Sequence, residues 1–121
     1  MKVLSIDDNL EICKLFEVAF VSSGHEFTYA LDGREGLRMI RENKYDVVLL
    51  DIAMPEFSGL DLLESLRSEN LEDKQKIVIV SASTSIENDL ERFKSGAVVS
   101  FLRKPVDLEE LLTKAESVAS H

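Results

Sequence analysis

Five short apolar runs, separated by longer helix-like stretches, limit what this chain can become more than any other feature. The runs are Val3–Ile6, Phe27–Ala30, Val47–Leu50, Ile77–Val80 and Phe101–Leu102. Several are continuously apolar and β-branched, the pattern of strands covered on both faces. The second is the least apolar and is expected at a sheet edge. Helical stretches are expected over 10–22, 34–43, 58–69, 85–95 and 107–119. In the last of these, Leu108, Leu111, Leu112, Ala115 and Val118 recur at helical spacing, with Glu109, Glu110 and Glu116 between them. Asp107 is a candidate N-cap, with Glu110 completing a capping box. Gly24 is a natural residue to follow the end of the first helix. Alternation of this kind means βαβ crossovers, and hence a doubly wound α/β domain with five parallel strands, a (βα)5 arrangement.

No Pro/Gly/Ser-rich linker divides the chain, so one domain over residues 1–121 is expected, with no attached output module. Hydrophobic residues make up 45% of the sequence, enough for a single packed core. No apolar run approaches the ~18–20 residues of a membrane helix, and residues 1–6 read as a strand and not as a secretory signal. The one cysteine, Cys13, cannot form an internal disulfide, which fits a reducing, cytoplasmic setting. Acidic residues outnumber basic ones 23 to 14, for a net charge of −9. A duplex-binding module has the opposite balance, which argues against nucleic acid as a direct partner.

In an open α/β sheet, ligands bind beyond the carboxyl ends of the strands. Asp7 and Asp8 follow the first strand, Asp51 the third, Ser81 and Ala82 the fourth, and Lys104 and Pro105 the fifth. The polar groups of four strands therefore land on one edge. Three converging carboxylates repel one another, and a hard divalent cation such as Mg2+ resolves that repulsion. Lys104 can pair with a carboxylate before reaction and with a phosphoryl oxygen afterwards, and Ser81 supplies a hydroxyl donor. A carboxylate so placed can act as the nucleophile in phosphoryl transfer, giving an aspartyl phosphate. Taken singly, each residue has a plainer reading, as a turn, a cap or a loop. The combination, in this order and at successive strand ends, is what carries the signal.

Over its whole length the chain resembles the receiver domain of two-component response regulators, of the stand-alone CheY-like kind. The matching residues are Ile6-Asp7-Asp8-Asn9, Tyr45 through Pro55, Gly59, Ser81-Ala82 and Phe101-Leu102-Arg103-Lys104-Pro105. Asp51 followed by Met54-Pro55 and then Gly59 is the most specific part. The resemblance implies the flavodoxin-like strand order 2-1-3-4-5 and Asp51 as phosphoacceptor. It implies Asp8, Asp51 and the backbone carbonyl of Ala53 as direct Mg2+ ligands, with Asp7 acting through water. Ser81 and Lys104 would hold phosphoryl oxygens, Phe101 would change rotamer with Ser81, and the peptide bond before Pro105 would be cis. It further implies a sensor histidine kinase or phosphotransfer protein as donor. A downstream protein target would meet the fourth helix, fifth strand and fifth helix, and the chain would be a monomer or weak dimer.

Three features depart from the family pattern. Ser81 stands where threonine is commoner, with the hydroxyl kept. The segment Gly96-Ala97-Val98-Val99-Ser100-Phe101 is one residue longer than usual, and a lengthened loop entering the fifth strand is expected there. Ala53 is small where larger residues often sit. Ala53 also bears on an enzyme alternative, because aspartate-nucleophile phosphatases want an acid two residues after the nucleophile. A flavodoxin-like cofactor binder would want a phosphate loop where Asp7 and Asp8 stand. A pseudo-receiver, an interaction domain without the chemistry, is the third alternative, and the presence of all five site side chains weighs against it. Cys13 reads as a packing residue beside Ile12, Leu15 and Phe16, and Met39 and Met54 read as packing residues too. His25 and His121 lack ligand partners at metal spacing. Glu87, Asp89, Glu91, Arg92 and Lys94 read as a solvated helix face.

Overall fold

A computed structural model describes residues 1–82 and 96–120. The five strands are β1 (Lys2–Ile6), β2 (Glu26–Ala30), β3 (Val47–Leu50), β4 (Ile77–Ser81) and β5 (Val98–Arg103). The helices among the described residues are α1 (Leu10–Ser22), α2 (Gly33–Glu42), α3 (Gly59–Ser68) and α4 (Leu108–Ala119), with a short 3-10 turn at Glu72–Lys74. The helix expected over 85–95, with its charged face, lies outside the described residues. All strand pairs are parallel, in the order β2-β1-β3-β4-β5, so the weakly apolar β2 is indeed an edge strand.

The continuous apolar runs serve two cores at once. Along β3, Val47 and Leu49 join Phe16, Phe20, Leu111 and Ala115 under α1 and α4. Val48 and Leu50 join Leu37, Ile40, Leu62 and Leu66 under α2 and α3. Successive strand side chains point to opposite faces, so a strand buried on both sides must be apolar at every position. β4 repeats the arrangement, with Ile77 and Ile79 on the α2–α3 side and Val78 and Val80 on the other.

Local signals close the helices. Asn9 caps α1 by accepting the Ile12 amide at 3.2 Å, and Asp32 caps α2 by accepting the Glu35 amide at 2.8 Å. Gly24, one residue beyond the Ser23 C-cap, has φ +86°, which glycine adopts without steric cost. The reciprocal capping box forms at Ser58 and Asp61. At Asp107 the expected box with Glu110 gives way to a simpler cap, in which the carboxylate accepts the Glu109 amide at 2.8 Å.

The lengthened segment before Phe101 is strand and not loop. Ile77 pairs with Val98 but Val78 pairs with Ser100, so Val99 has no opposite residue and forms a β-bulge. Val98 and Phe101, three apart, both pack on the α2–α3 core, which an unbroken period of two forbids. Val99 is turned out, 51% exposed, and the rest of β5 keeps its register with β4. Deleting Val99 should therefore leave Ser100 opposite Val78 and give an unbroken ladder. The variant should fold with a melting temperature within about 5 °C of the parent. A much larger drop in a thermal melt would mean that the bulge is structurally required.

Candidate functional site

Two acidic strand ends meet because β1 and β3 are neighbours in register. Ile6 pairs with Leu50, so Asp7 and Asp51 emerge side by side, and the Asp51 amide donates to the Ile6 carbonyl at 2.9 Å. One carboxylate oxygen from each of Asp7, Asp8 and Asp51 lies within 4.8 Å of the other two, a grouping able to hold a metal ion. Asp7 and Asp51 are buried, and Asp8 faces solvent. The turn after β1 is held by the Asn9 amide, which donates to Asp7 Oδ1 at 2.9 Å, while the Asn9 side chain caps α1. One tripeptide thus ends a strand, starts a helix and positions the acids.

β4 and β5 bring the other polar groups. Ser81 ends β4 and is fully buried, and its carbonyl accepts the Lys104 amide at 3.1 Å. Lys104 Nζ lies 2.6 Å from Asp7 Oδ2 and 3.7 Å from Asp51 Oδ2. The Lys104–Pro105 peptide bond is cis. Phe101 pairs with Ile79, and Arg103 with Ser81, so Phe101 lies on the face Ser81 shares, one diagonal step away. It is half-buried against the α2–α3 core.

The loop after Asp51 closes the site. The Ala53 amide donates to Asp51 Oδ1 at 3.2 Å, and Met54 is buried in the α2–α3 core. Gly59 permits a close approach, because a Cβ there would stand 2.6 Å from the Asp51 carbonyl oxygen and 2.7 Å from Ile52 Cα. Glu56, at φ +63°, holds a left-handed conformation that costs a non-glycine residue about 1 kcal/mol or more.

Burial dominates the electrostatics. It pushes the Asp51 carboxyl above the ordinary aspartate range; Lys104 opposes this and Asp7 adds to it. The Ala53 amide and the Ser81 hydroxyl act with Lys104 in favour of the ionised form. Cys13, buried below with Sγ 3.5 Å from the Asp7 carbonyl, has its thiol pushed up to about 12, chiefly by burial and then by Asp7. It is an inert packing thiol.

The α1 helix holds what the residue pattern concealed. Leu15, expected beside Cys13, instead points outward at 51% exposed, with Val18 at 65% and Val21 at 55%. Leu10 is exposed as well, next to the acidic turn. Because α1 is apolar on nearly every side, helical periodicity alone could not tell its inner face from its outer one.

A protein-family comparison matches residues 3–116 to the response regulator receiver domain. The chain belongs to this family, a class of signalling domains whose general function is a phosphorylation-dependent switch in two-component systems. It is 29% identical over 119 residues to the transcriptional regulatory protein ZraR of Escherichia coli, covering 98% of this chain but 26% of that protein. The chain thus spans about a quarter of that relative's length. The receiver domain of Francisella response regulator 1452 superposes with a TM-score of 0.85 at 35% identity, covering 98% of this chain and 96% of that one. Response regulator TrrA of Thermotoga maritima, solved in complex with Mg2+–BeF, superposes at 0.82 with 29% identity, covering 98% and 99%. Among the described residues no helix is long and apolar enough to cross a membrane.

The raised Asp51 pKa has a consequence for stability. The folded state binds this proton more tightly than the unfolded chain, so the associated stability is complete below the unfolded pKa of about 3.9 and is lost as pH rises through the folded value. In metal-free buffer at neutral pH, Asp51→Asn should raise the melting temperature by a few degrees. The gain should shrink as the pH falls through the raised folded value and be gone by about pH 4. A lower melting temperature at neutral pH would contradict a desolvated, repelled carboxylate.

Proposed function

We propose that Asp51 accepts a phosphoryl group from a histidine kinase or phosphotransfer protein, and that the change is relayed to a protein partner. The reading rests above all on one juxtaposition, a buried carboxylate set between two further acids and a lysine at the end of β3. Asp51 would attack with a carboxylate oxygen. A phosphorus–oxygen bond forms, the bond from phosphorus to the donor breaks, and its electron pair leaves with the donor. Lys104 would exchange its carboxylate partners for a phosphoryl oxygen, and Ser81 would donate to another.

The donor set suits Mg2+, with oxygen ligands from Asp8, Asp51 and the Ala53 carbonyl and with Asp7 acting through water. Bound there, the ion would offset negative charge on the phosphoryl oxygens. The TrrA complex with Mg2+–BeF, in which beryllofluoride stands for the phosphoryl group, is consistent with this use of a similar fold. Acetyl phosphate with Mg2+ should add one phosphoryl group, measured as a mass increment. Asp51→Ala should abolish labelling, and Asp8→Ala should slow it at least tenfold. Undiminished labelling of Asp51→Ala would refute the assignment.

The switch would pass through β5. A phosphoryl group draws the Ser81 hydroxyl inward, and Phe101, on the same face, turns to fill the vacated space. The output would be read at β5, where Val99 is exposed, and at α4; the expected fourth helix lies outside the described residues. Phe101→Ala should leave acetyl-phosphate labelling intact. It should also erase the beryllofluoride-dependent change in amide exchange expected over residues 96–105 of the parent. A change of equal size in the variant would exclude Phe101 from the relay.

The outer face of α1 is the surface we assign to the donor. It is apolar at Leu15, Val18 and Val21 and runs back from the acidic turn, where Leu10 is exposed too. A protein donor reaching Asp51 must cover this neighbourhood, whereas acetyl phosphate need not. Val18→Glu should therefore slow transfer from a phosphorylated kinase by tenfold or more and leave acetyl-phosphate labelling unchanged. Equal rates with both donors would remove α1 from the docking surface.

A further inference from the structure

The edge of the sheet opposite the site carries a polar cluster that the phosphorylation chemistry does not use. His25, in the turn between α1 and β2, is largely enclosed, with its side chain 14% exposed. Its backbone amide donates to the Phe20 carbonyl at 3.0 Å, which ties the turn to the end of α1. Its ring lies 6.2 Å from that of Phe20, centroid to centroid. Nε2 stands 2.9 Å from Glu116 Oε2 on α4, and Nδ1 stands 3.2 Å from the amino nitrogen of Met1. One imidazole therefore joins the start of β1, the end of α1 and the third turn of α4.

The chemistry of the neighbours selects the form of the ring. The Glu116 carboxylate can only accept, so Nε2 carries a proton in this contact. A ring with its proton on Nδ1 alone leaves that contact mismatched.

The position of Glu116 gives the contact its meaning. The N-cap of α4, Asp107, stands three residues after Lys104 and the helix runs away from the site, so Glu116 lies about 13 Å further along the helix axis. At its near end α4 is joined to the site through the Lys104–Pro105 segment, and at its far end it is held by His25. Leu111 and Ala115, between the two, are fully buried in the core shared with Phe16 and Phe20 of α1.

We propose that His25 and Glu116 form a latch that pins the far end of the C-terminal helix to the end of α1. The latch makes α4 a lever with one fixed end, and it directly couples the two helices on this face of the sheet. The inference stands on these contacts and does not require Asp51 to be phosphorylated.

Glu116 is half-exposed, so Glu116→Ala should leave the fold intact and isolates the latch from packing. Hydrogen exchange of the full chain should speed up at least threefold in the α4 amides of residues 111–118, with those of β3 unchanged. His25→Ala should produce the same local change, and the double variant should add nothing beyond His25→Ala. Ring nitrogen shifts of His25 should report the Nε2–H tautomer in the parent and lose that preference in Glu116→Ala. Parent-like exchange of α4 in Glu116→Ala, additive effects in the double variant, or an Nδ1–H ring in the parent would each overturn the latch.

Discussion

Two carboxylates buried side by side are an unstable arrangement, and the functional edge of this domain is organised around relieving it. Asp7 and Asp51 cannot avoid each other, because they follow paired residues on adjacent strands. Lys104 offers the main relief, at 2.6 Å from one and 3.7 Å from the other. Its reach depends on β5 lying beside β4, and so on strand order and not on nearness in sequence. The relief is incomplete, since burial still holds the Asp51 carboxyl above its ordinary range. A site with residual negative charge, oxygen donors and one lysine is suited to gain a divalent cation and then a phosphoryl group.

The two-faced core makes that edge rigid enough to use. Every side chain of β3, and every side chain of β4 before Ser81, belongs to one of two apolar clusters, so none of them is free to turn to water. The site side chains stand at the first positions beyond this packed slab, so their backbone is held by the core while their charges lie at its rim. Gly59 belongs to the same arrangement, since only a residue without Cβ lets α3 begin against the end of β3.

Most of the site could be read before any coordinates. Asp7, Asp8, Asp51, Ser81 and Lys104 each follow an apolar run, and the rule that ligands gather beyond strand ends brought them together. The strands themselves were legible because burial on both faces demands unbroken apolar runs. β5 is less legible: its apolar run marks only Phe101 and Leu102, while the strand begins at Val98. The bulge at Val99 breaks the period of two, and with it the pattern by which strands are recognised. The outer face of α1 was missed for a related reason, since Leu15 is as apolar as its buried neighbours Cys13 and Phe16.

Alone, then, the sequence determined the fold class, the family and the membership of the acidic edge, because apolar periodicity, helix caps and strand-end chemistry are local properties. Tertiary structure decided relations between distant residues. It chose which carboxylate Lys104 grips more closely, turned Val99 out and kept Phe101 in register, and set His25 against Glu116, 91 residues away. Such pairings depend on strand register and helix docking. Both are settled by how the whole core packs and by which charges it forces together, and no short stretch of residues contains that information.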